Sequence, residues 1–230
     1  MLKRFVLIML ALTLLASPLS ALAENHAIAY MDSCFECGCR RGGTGAMIGP
    51  RGLLTAGHNL YCPDHGQKLT SCDFYFGAES ANKYFYRYEG HFQYTVYDTF
   101  ENGYSAENDI GYVIFESEVG RKTGWMGTQV GEDYYLHEEF INVNNYDANR
   151  NLQYAYDVGY VYSDKQMYIP VRFSGTDGGP VYTYMYGFVE HDYPAVVAVY
   201  TSFDNAGNSY ARRLTQDVFN DLKADGAFEE

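Results

Sequence analysis

The chain has 230 residues, among them 24 tyrosines and 14 phenylalanines, and a formal charge of −13. An acidic balance of this size excludes partners that need a basic face, so neither nucleic acid nor an anionic membrane surface is expected. An aromatic-rich, glycine-punctuated chain leans to an all-β fold.

Residues 1–23 read as an export signal. Lys3 and Arg4 open it, Phe5 to Leu15 is apolar, and Ala21-Leu22-Ala23 offers the small-x-small cleavage pattern. The apolar run is too short to span a bilayer and breaks at Ser17 and Pro18, so no membrane anchor is expected. Loss of Lys3 and Arg4 with the leader takes the charge from −13 to −15. Residues 24–230 then suit one compact unit or two small barrels sharing a core, released to the extracellular side.

Five cysteines follow, Cys34, Cys37, Cys39, Cys62 and Cys72. In an exported chain disulfides are the default, here two bridges tying the 34–39 cluster to Cys62 and Cys72 with one cysteine left over. A zinc alternative uses Cys34-x-x-Cys37 with Cys62-x-x-His65, a Cys₃His set with suitable spacing. Either arrangement clips the N-terminal segment to the loop after His58.

From residue 42 the chain reads as strands. Ala46–Gly49 and Gly52–Thr55 flank a Pro50-Arg51 turn and lead into Leu54-Thr55-Ala56-Gly57-His58. Phe74–Gly77 and Lys83–Tyr88 read as further strands, while His91 has no comparable context. Asn108-Asp109 opens the apolar strand Ile110–Phe115, completing a first unit over about 42–117. A polar, Gly-rich linker spans 118–134. Strands recur over about 135–212 at Phe140–Val143, Leu152–Tyr156, Val158–Tyr162, Met167–Val171, Pro180–Met185 and Ala195–Tyr200. A helix over about 214–224 starts at Thr215 as N-cap, with Leu214 and Phe219 as a hydrophobic staple.

The most informative stretch is Phe173-Ser174-Gly175-Thr176-Asp177-Gly178-Gly179-Pro180-Val181-Tyr182. Its frame of Gly175, Gly178, Gly179 and Pro180 resembles the Gly-x-Ser-Gly-Gly-Pro nucleophile loop of trypsin-like serine proteases, with Asp177 where the serine stands. Leu-Thr-Ala-Gly-His58 and Asn-Asp109-Ile resemble the same family's histidine and aspartate motifs, in the family's order. The stretches Gln153–Tyr182, Val196–Thr201 and Arg213–Asn220 are similar to the bacterial glutamyl endopeptidase branch.

The resemblance implies a chymotrypsin-like fold, two six-stranded antiparallel β-barrels and a C-terminal helix, with the site between the barrels. It implies His58 as general base, Asp109 as its orienter, the N–H groups of Gly175 and Asp177 as oxyanion hole, and Tyr200 and Thr201 in the specificity pocket. It implies no cofactor. Tyr200 stands where glutamyl endopeptidases carry a histidine for the substrate carboxylate, so a preference for glutamate is not implied. Asp177 is a poor nucleophile toward amides, and its charge opposes the anion that the hole would stabilise. The sequence therefore favours an exported, inactive or severely impaired protease homologue that binds peptides or a protein partner. The alternative is an active serine-type endopeptidase with altered specificity. A metal held by His58, Asp109 and Asp177 is a third reading.

Overall fold

The computed structural model describes residues 26–97, 105–173, 175–185, 193–203 and 208–229. The export signal read over 1–23 and Ser174 lie outside the described residues.

The first sheet consists of β1 (Ile28–Phe35), β2 (Arg40–Met47), β3 (Gly52–Thr55), β4 (Tyr61–Cys62), β5 (Gln67–Phe76), β6 (Tyr86–Tyr88), β7 (Phe92–Val96) and β8 (Gly111–Phe115). Its hydrogen-bonded order is β4-β5-β1-β2-β3-β8-β7, with β6 on the side of β5, which makes a nearly closed barrel. The second sheet contains β9 (Gly127–Thr128), β10 (Glu139–Tyr146), β11 (Leu152–Val161), β12 (Gln166–Ile169), β13 (Pro180–Met185), β14 (Tyr193–Phe203) and β15 (Ser209–Arg213). Six of these close in the order β13-β10-β11-β12-β15-β14 through a β13–β14 pairing, and β9 joins β14 in parallel. Closure removes the exposed strand edges that an open sheet would leave. Three helices complete the described chain, the one-turn α1 (Gly120–Thr123) and α2 (Asp133–Leu136) and the longer α3 (Gln216–Ala224).

Strand β1 lies ahead of residue 42, where the sequence places the start of the first barrel. The reason is burial on both faces. Ala29 and Met31 point into the first barrel, while Ile28 and Tyr30 join Tyr75 and Tyr146 in a separate cluster between the barrels. Side chains alternate along a strand, so one strand feeds two cores and shows no polar face to mark it. The Tyr30 and Tyr146 rings meet edge-on at 6.0 Å. The Tyr146 hydroxyl accepts the Ala78 N–H at 2.9 Å and donates to the Ile28 carbonyl.

Other elements also differ from the sequence expectation. The two strands expected over 152–162 are one continuous strand, β11, because Asp157 stays in the ladder opposite Ile141. The Gly-rich connection after β8 carries α1 and β9 rather than running as an open linker. Helix α3 is present, but Thr215 makes no side-chain cap. Its buried Val218 and Leu222 extend the first barrel's core, and the Tyr112 hydroxyl donates to Asp225 at 2.7 Å. The last element of the chain thus locks onto the first barrel.

The expected disulfides are absent among the described residues, where all five cysteines are free. Cys72 lies opposite Ser33 and Cys34 opposite Ser71, so alternation sends Cys34 and Cys72 to opposite faces of the sheet. Cys72 is buried, with the Ser33 hydroxyl 3.5 Å from its sulfur.

Candidate active site

Strand β3 ends at Thr55 and passes through buried Ala56 into a single 3-10 turn, Gly57–Asn59. The turn presents His58 to the start of β8. Asp109, fully buried, grips it at two points: Oδ1 accepts the His58 backbone N–H at 2.9 Å, and Oδ2 lies 2.7 Å from Nδ1. An ionised carboxylate only accepts hydrogen bonds, so Nδ1 carries a proton and Nε2 is turned toward the cleft.

The loop between Phe173 and Pro180 reaches that cleft from the second barrel. Both barrels hold its backbone. The Asp177 carbonyl accepts from the Thr44 N–H at 2.8 Å and from Asn59 Nδ2 at 2.9 Å. Gly178 N–H donates to the Tyr200 carbonyl, and Tyr200 N–H returns a bond to the Gly179 carbonyl. Thr44, Thr176 and Tyr146 close a ring of hydrogen bonds across the two barrels. The Tyr146 N–H donates to Thr44 Oγ1, Thr44 to Thr176 Oγ1 at 2.8 Å, and Thr176 Oγ1 to the Tyr146 carbonyl. Asn145 Nδ2 adds a bond to the Thr176 carbonyl.

Two glycines are required by this packing. Gly178 has φ +97°, and a Cβ there would stand 2.3 Å from the Thr44 carbonyl oxygen. A Cβ on Gly179 would stand 2.0 Å from the Asn144 carbonyl oxygen. Nearby, the Thr176 N–H is committed to the Tyr146 carbonyl, whereas among the described residues no protein acceptor takes the N–H of Gly175 or Asp177.

The Asp177 carboxylate lies 3.7 Å from His58 Nε2, and its side chain keeps 29% of its surface open. Burial pushes its pKa up to about 6, helped by Asp109 and opposed by His58 and Arg41. For His58, burial pulls the pKa down, but Asp109 and Asp177 outweigh it and the net shift is upward. The imidazole thus sits between two carboxylates, which raise its affinity for a proton.

The remaining expected site residues lie outside the His58–Asp109–Asp177 cluster. Tyr200 and Thr201 are fully buried. The Tyr200 ring packs edge-on against Phe173 at 5.4 Å inside the second barrel, while its backbone N–H and carbonyl bond the loop. The proposed zinc set is corrected by one member. Cys37, Cys62 and His65 do converge, but with Cys39 rather than Cys34. Cys34 lies in β1 opposite Arg40, beyond the turn that carries Cys37 and Cys39. The sequence reading missed Thr44, Asn59, Asn145 and Tyr146, which hold the loop. Only the position of Asn59, directly after His58, offered a signal.

No protein-family model matches the sequence. The chain is 23% identical to a glutamyl endopeptidase of Bacillus licheniformis over 185 residues, 78% of this chain. It is 24% identical to an extracellular metalloprotease of Bacillus subtilis over 210 residues, 85% of this chain. It spans 58% and 60% of the length of these curated relatives. Among solved structures, a Glu endopeptidase in complex with MPD matches with a TM-score of 0.72 at 16% identity, over 88% of this chain and 91% of that one. The thermostable serine protease AL20 from an extremophilic microorganism matches equally, TM-score 0.72 at 13% identity, over 88% and 97%. The two-barrel fold is therefore chymotrypsin-like, and the chain is a distant homologue of glutamyl endopeptidase-like proteins.

Proposed function

We propose that this protein is an exported, proteolytically silent homologue of such proteases that holds a peptide or a segment of a partner protein in the cleft between its barrels. In this reading residues 1–23 are removed on export and 24–230 form the binding unit. The observation that carries it is the Asp177 carboxylate 3.7 Å from His58 Nε2, at the place where a hydroxyl would attack. In a working triad the histidine takes a proton from that hydroxyl as it attacks the carbonyl. Here the imidazole faces a group with no proton to give once ionised. A carboxylate attacking an amide would form a reactive anhydride and expel a poor leaving group. Its charge also sits beside the Gly175 and Asp177 N–H groups, against the anion that they would stabilise. Each effect opposes acyl transfer while leaving the cleft able to bind.

The second reading, an active endopeptidase with altered specificity, draws on the complete His58–Asp109 pair. One experiment separates the two. The protein and its Asp177→Ser variant are treated with a serine-directed fluorophosphonate and a broad peptide library. The parent is expected to remain unlabelled and to leave the library intact, while the variant labels and cleaves. Cleavage by the parent that disappears on His58→Ala would overturn the proposal.

A further inference from the structure

Away from the cleft, three sulfurs and one imidazole meet. The ligand atoms of Cys37, Cys39, Cys62 and His65 all lie within 4.8 Å of one another. His65 Nδ1 stands 3.4 Å from Cys39 Sγ and 3.5 Å from Cys62 Sγ. A tetrahedral zinc with Zn–S of about 2.3 Å and Zn–N of about 2.0–2.1 Å has S···N edges of about 3.5–3.6 Å. The two observed S···N spacings, 3.4 and 3.5 Å, are close to those edges. A disulfide would account for two of these sulfurs and leave a third thiol and the imidazole gathered for no purpose.

Two hairpin tips supply the four groups. At the first, between β1 and β2, Phe35 N–H bonds the Cys39 carbonyl and Gly38 N–H bonds the Phe35 carbonyl, with Gly38 at φ +80°. This turn brings Cys37 and Cys39 onto one side. At the second, between β4 and β5, Cys62 pairs with Gln67 and the Gly66 N–H closes back on the Cys62 carbonyl. His65 is thereby folded over Cys62. The tips come from segments more than twenty residues apart, so their convergence is a tertiary feature rather than a consequence of local spacing.

We infer that Cys37, Cys39, Cys62 and His65 form a structural site for a tetrahedral, thiolate-preferring divalent cation, with zinc as the ion it fits best. Binding consumes one Zn²⁺, three thiols and one neutral imidazole, and releases three protons, with no change of oxidation state. All ligands come from the protein, so no position is left for substrate or water, the pattern of a structural rather than a catalytic zinc. Cys62 follows His58 by four residues. The ion would therefore staple the β1–β2 hairpin to the segment that presents the imidazole, and hold that segment without touching the cleft.

The test uses the full-length secreted chain, purified without chelator. Bound metal is counted by elemental analysis, and thiol state by intact mass under non-reducing conditions. The metal is then stripped under reducing conditions and replaced by titration with Co²⁺. One zinc per chain is expected, then one cobalt showing the intense visible bands of a tetrahedral thiolate complex, displaced by zinc. Cys39→Ser should lose the cobalt spectrum, whereas Cys34→Ser should retain it in full. A reduced chain that binds no cobalt, or binds it with a weak octahedral spectrum, overturns the inference. So does equal loss of binding in both variants. The wild-type titration decides the matter even if Cys39→Ser fails to fold.

Discussion

The two walls of the cleft keep different things. On the first-barrel wall, the buried Asp109 carboxylate holds both the His58 ring and the His58 backbone N–H, so that contact depends on the Asp109 side chain. On the second-barrel wall the loop is held mostly through its own backbone carbonyls and N–H groups, with Thr176 Oγ1 adding side-chain bonds. A backbone frame tolerates any side chain that fits at position 177, whereas a side-chain pair survives only if both residues do. The side chain at 177 can therefore change without loss of the loop's shape. In the proposed function, the residue at 177 sets the chemistry and its surroundings hold the loop.

The largest expected effect exploits that difference. If the first wall remains competent, adding Asp109→Asn to the Asp177→Ser variant should lower its peptide turnover by roughly 10⁴-fold, through loss of the histidine's orientation. Single-turnover assays would read this, and an unchanged rate would mean that the first wall no longer supports catalysis. Next comes the frame itself. Gly179→Ala should destabilise the protein by about 3 kcal/mol or more, because the new Cβ meets the Asn144 carbonyl in the backbone and has nowhere to move. Urea unfolding checks this, and a stable variant would show that the loop is looser than its hydrogen bonds imply.

The third prediction concerns pH. The folded-state pKa of Asp177, about 6, lies above the ordinary aspartate value of about 3.9, so folding favours the protonated acid. Its contribution to stability is full below about pH 4 and is lost as the pH rises through 6. His58 is also shifted upward, so its contribution is lost above its ordinary value, in the same direction. Asp177→Asn should therefore become more stable than the parent as the pH rises from 4, by about 2–3 kcal/mol at pH 7. Denaturant midpoints across that range would show a widening gap, and a constant gap would contradict the assignment. The smallest effect is at the seam between the walls. Thr44→Val breaks the three-membered hydrogen-bond ring and leaves the Tyr146 N–H without that acceptor, at a cost of about 1–2 kcal/mol by thermal or urea unfolding.

The parts of this site that could be read from the sequence are those whose geometry is local. Leu54 to His58, Asn108 to Phe115 and Phe173 to Tyr182 are short stretches in which a turn and a neighbouring strand set the presentation of one residue. The residues that hold the site together were not legible. Thr44 meets Thr176 across 132 positions, and neither a threonine among glycines nor a threonine in a loop announces a partner. Strand β1 was missed because both of its faces are buried, and a strand with two buried faces shows no alternation of polarity. The cysteines teach the same lesson. The spacing Cys34-x-x-Cys37 suggested one ligand pair, but Cys34 lies back in the strand, opposite Arg40, and the hairpin turn advances Cys39 instead.

The amino-acid sequence alone determined the all-β class, the histidine and aspartate motifs, the glycine frame and the carboxylate at 177, since each is a matter of composition or of a few adjacent residues. The two-barrel expectation came through the resemblance those motifs carry. Only the tertiary structure decided that the Tyr200 ring packs inside the second barrel, that Thr44, Asn59 and Tyr146 bind the two walls together, and which three cysteines gather around His65. Those outcomes depend on strand register and on burial between segments far apart in the chain. A shift of one residue there reverses the face on which a side chain emerges.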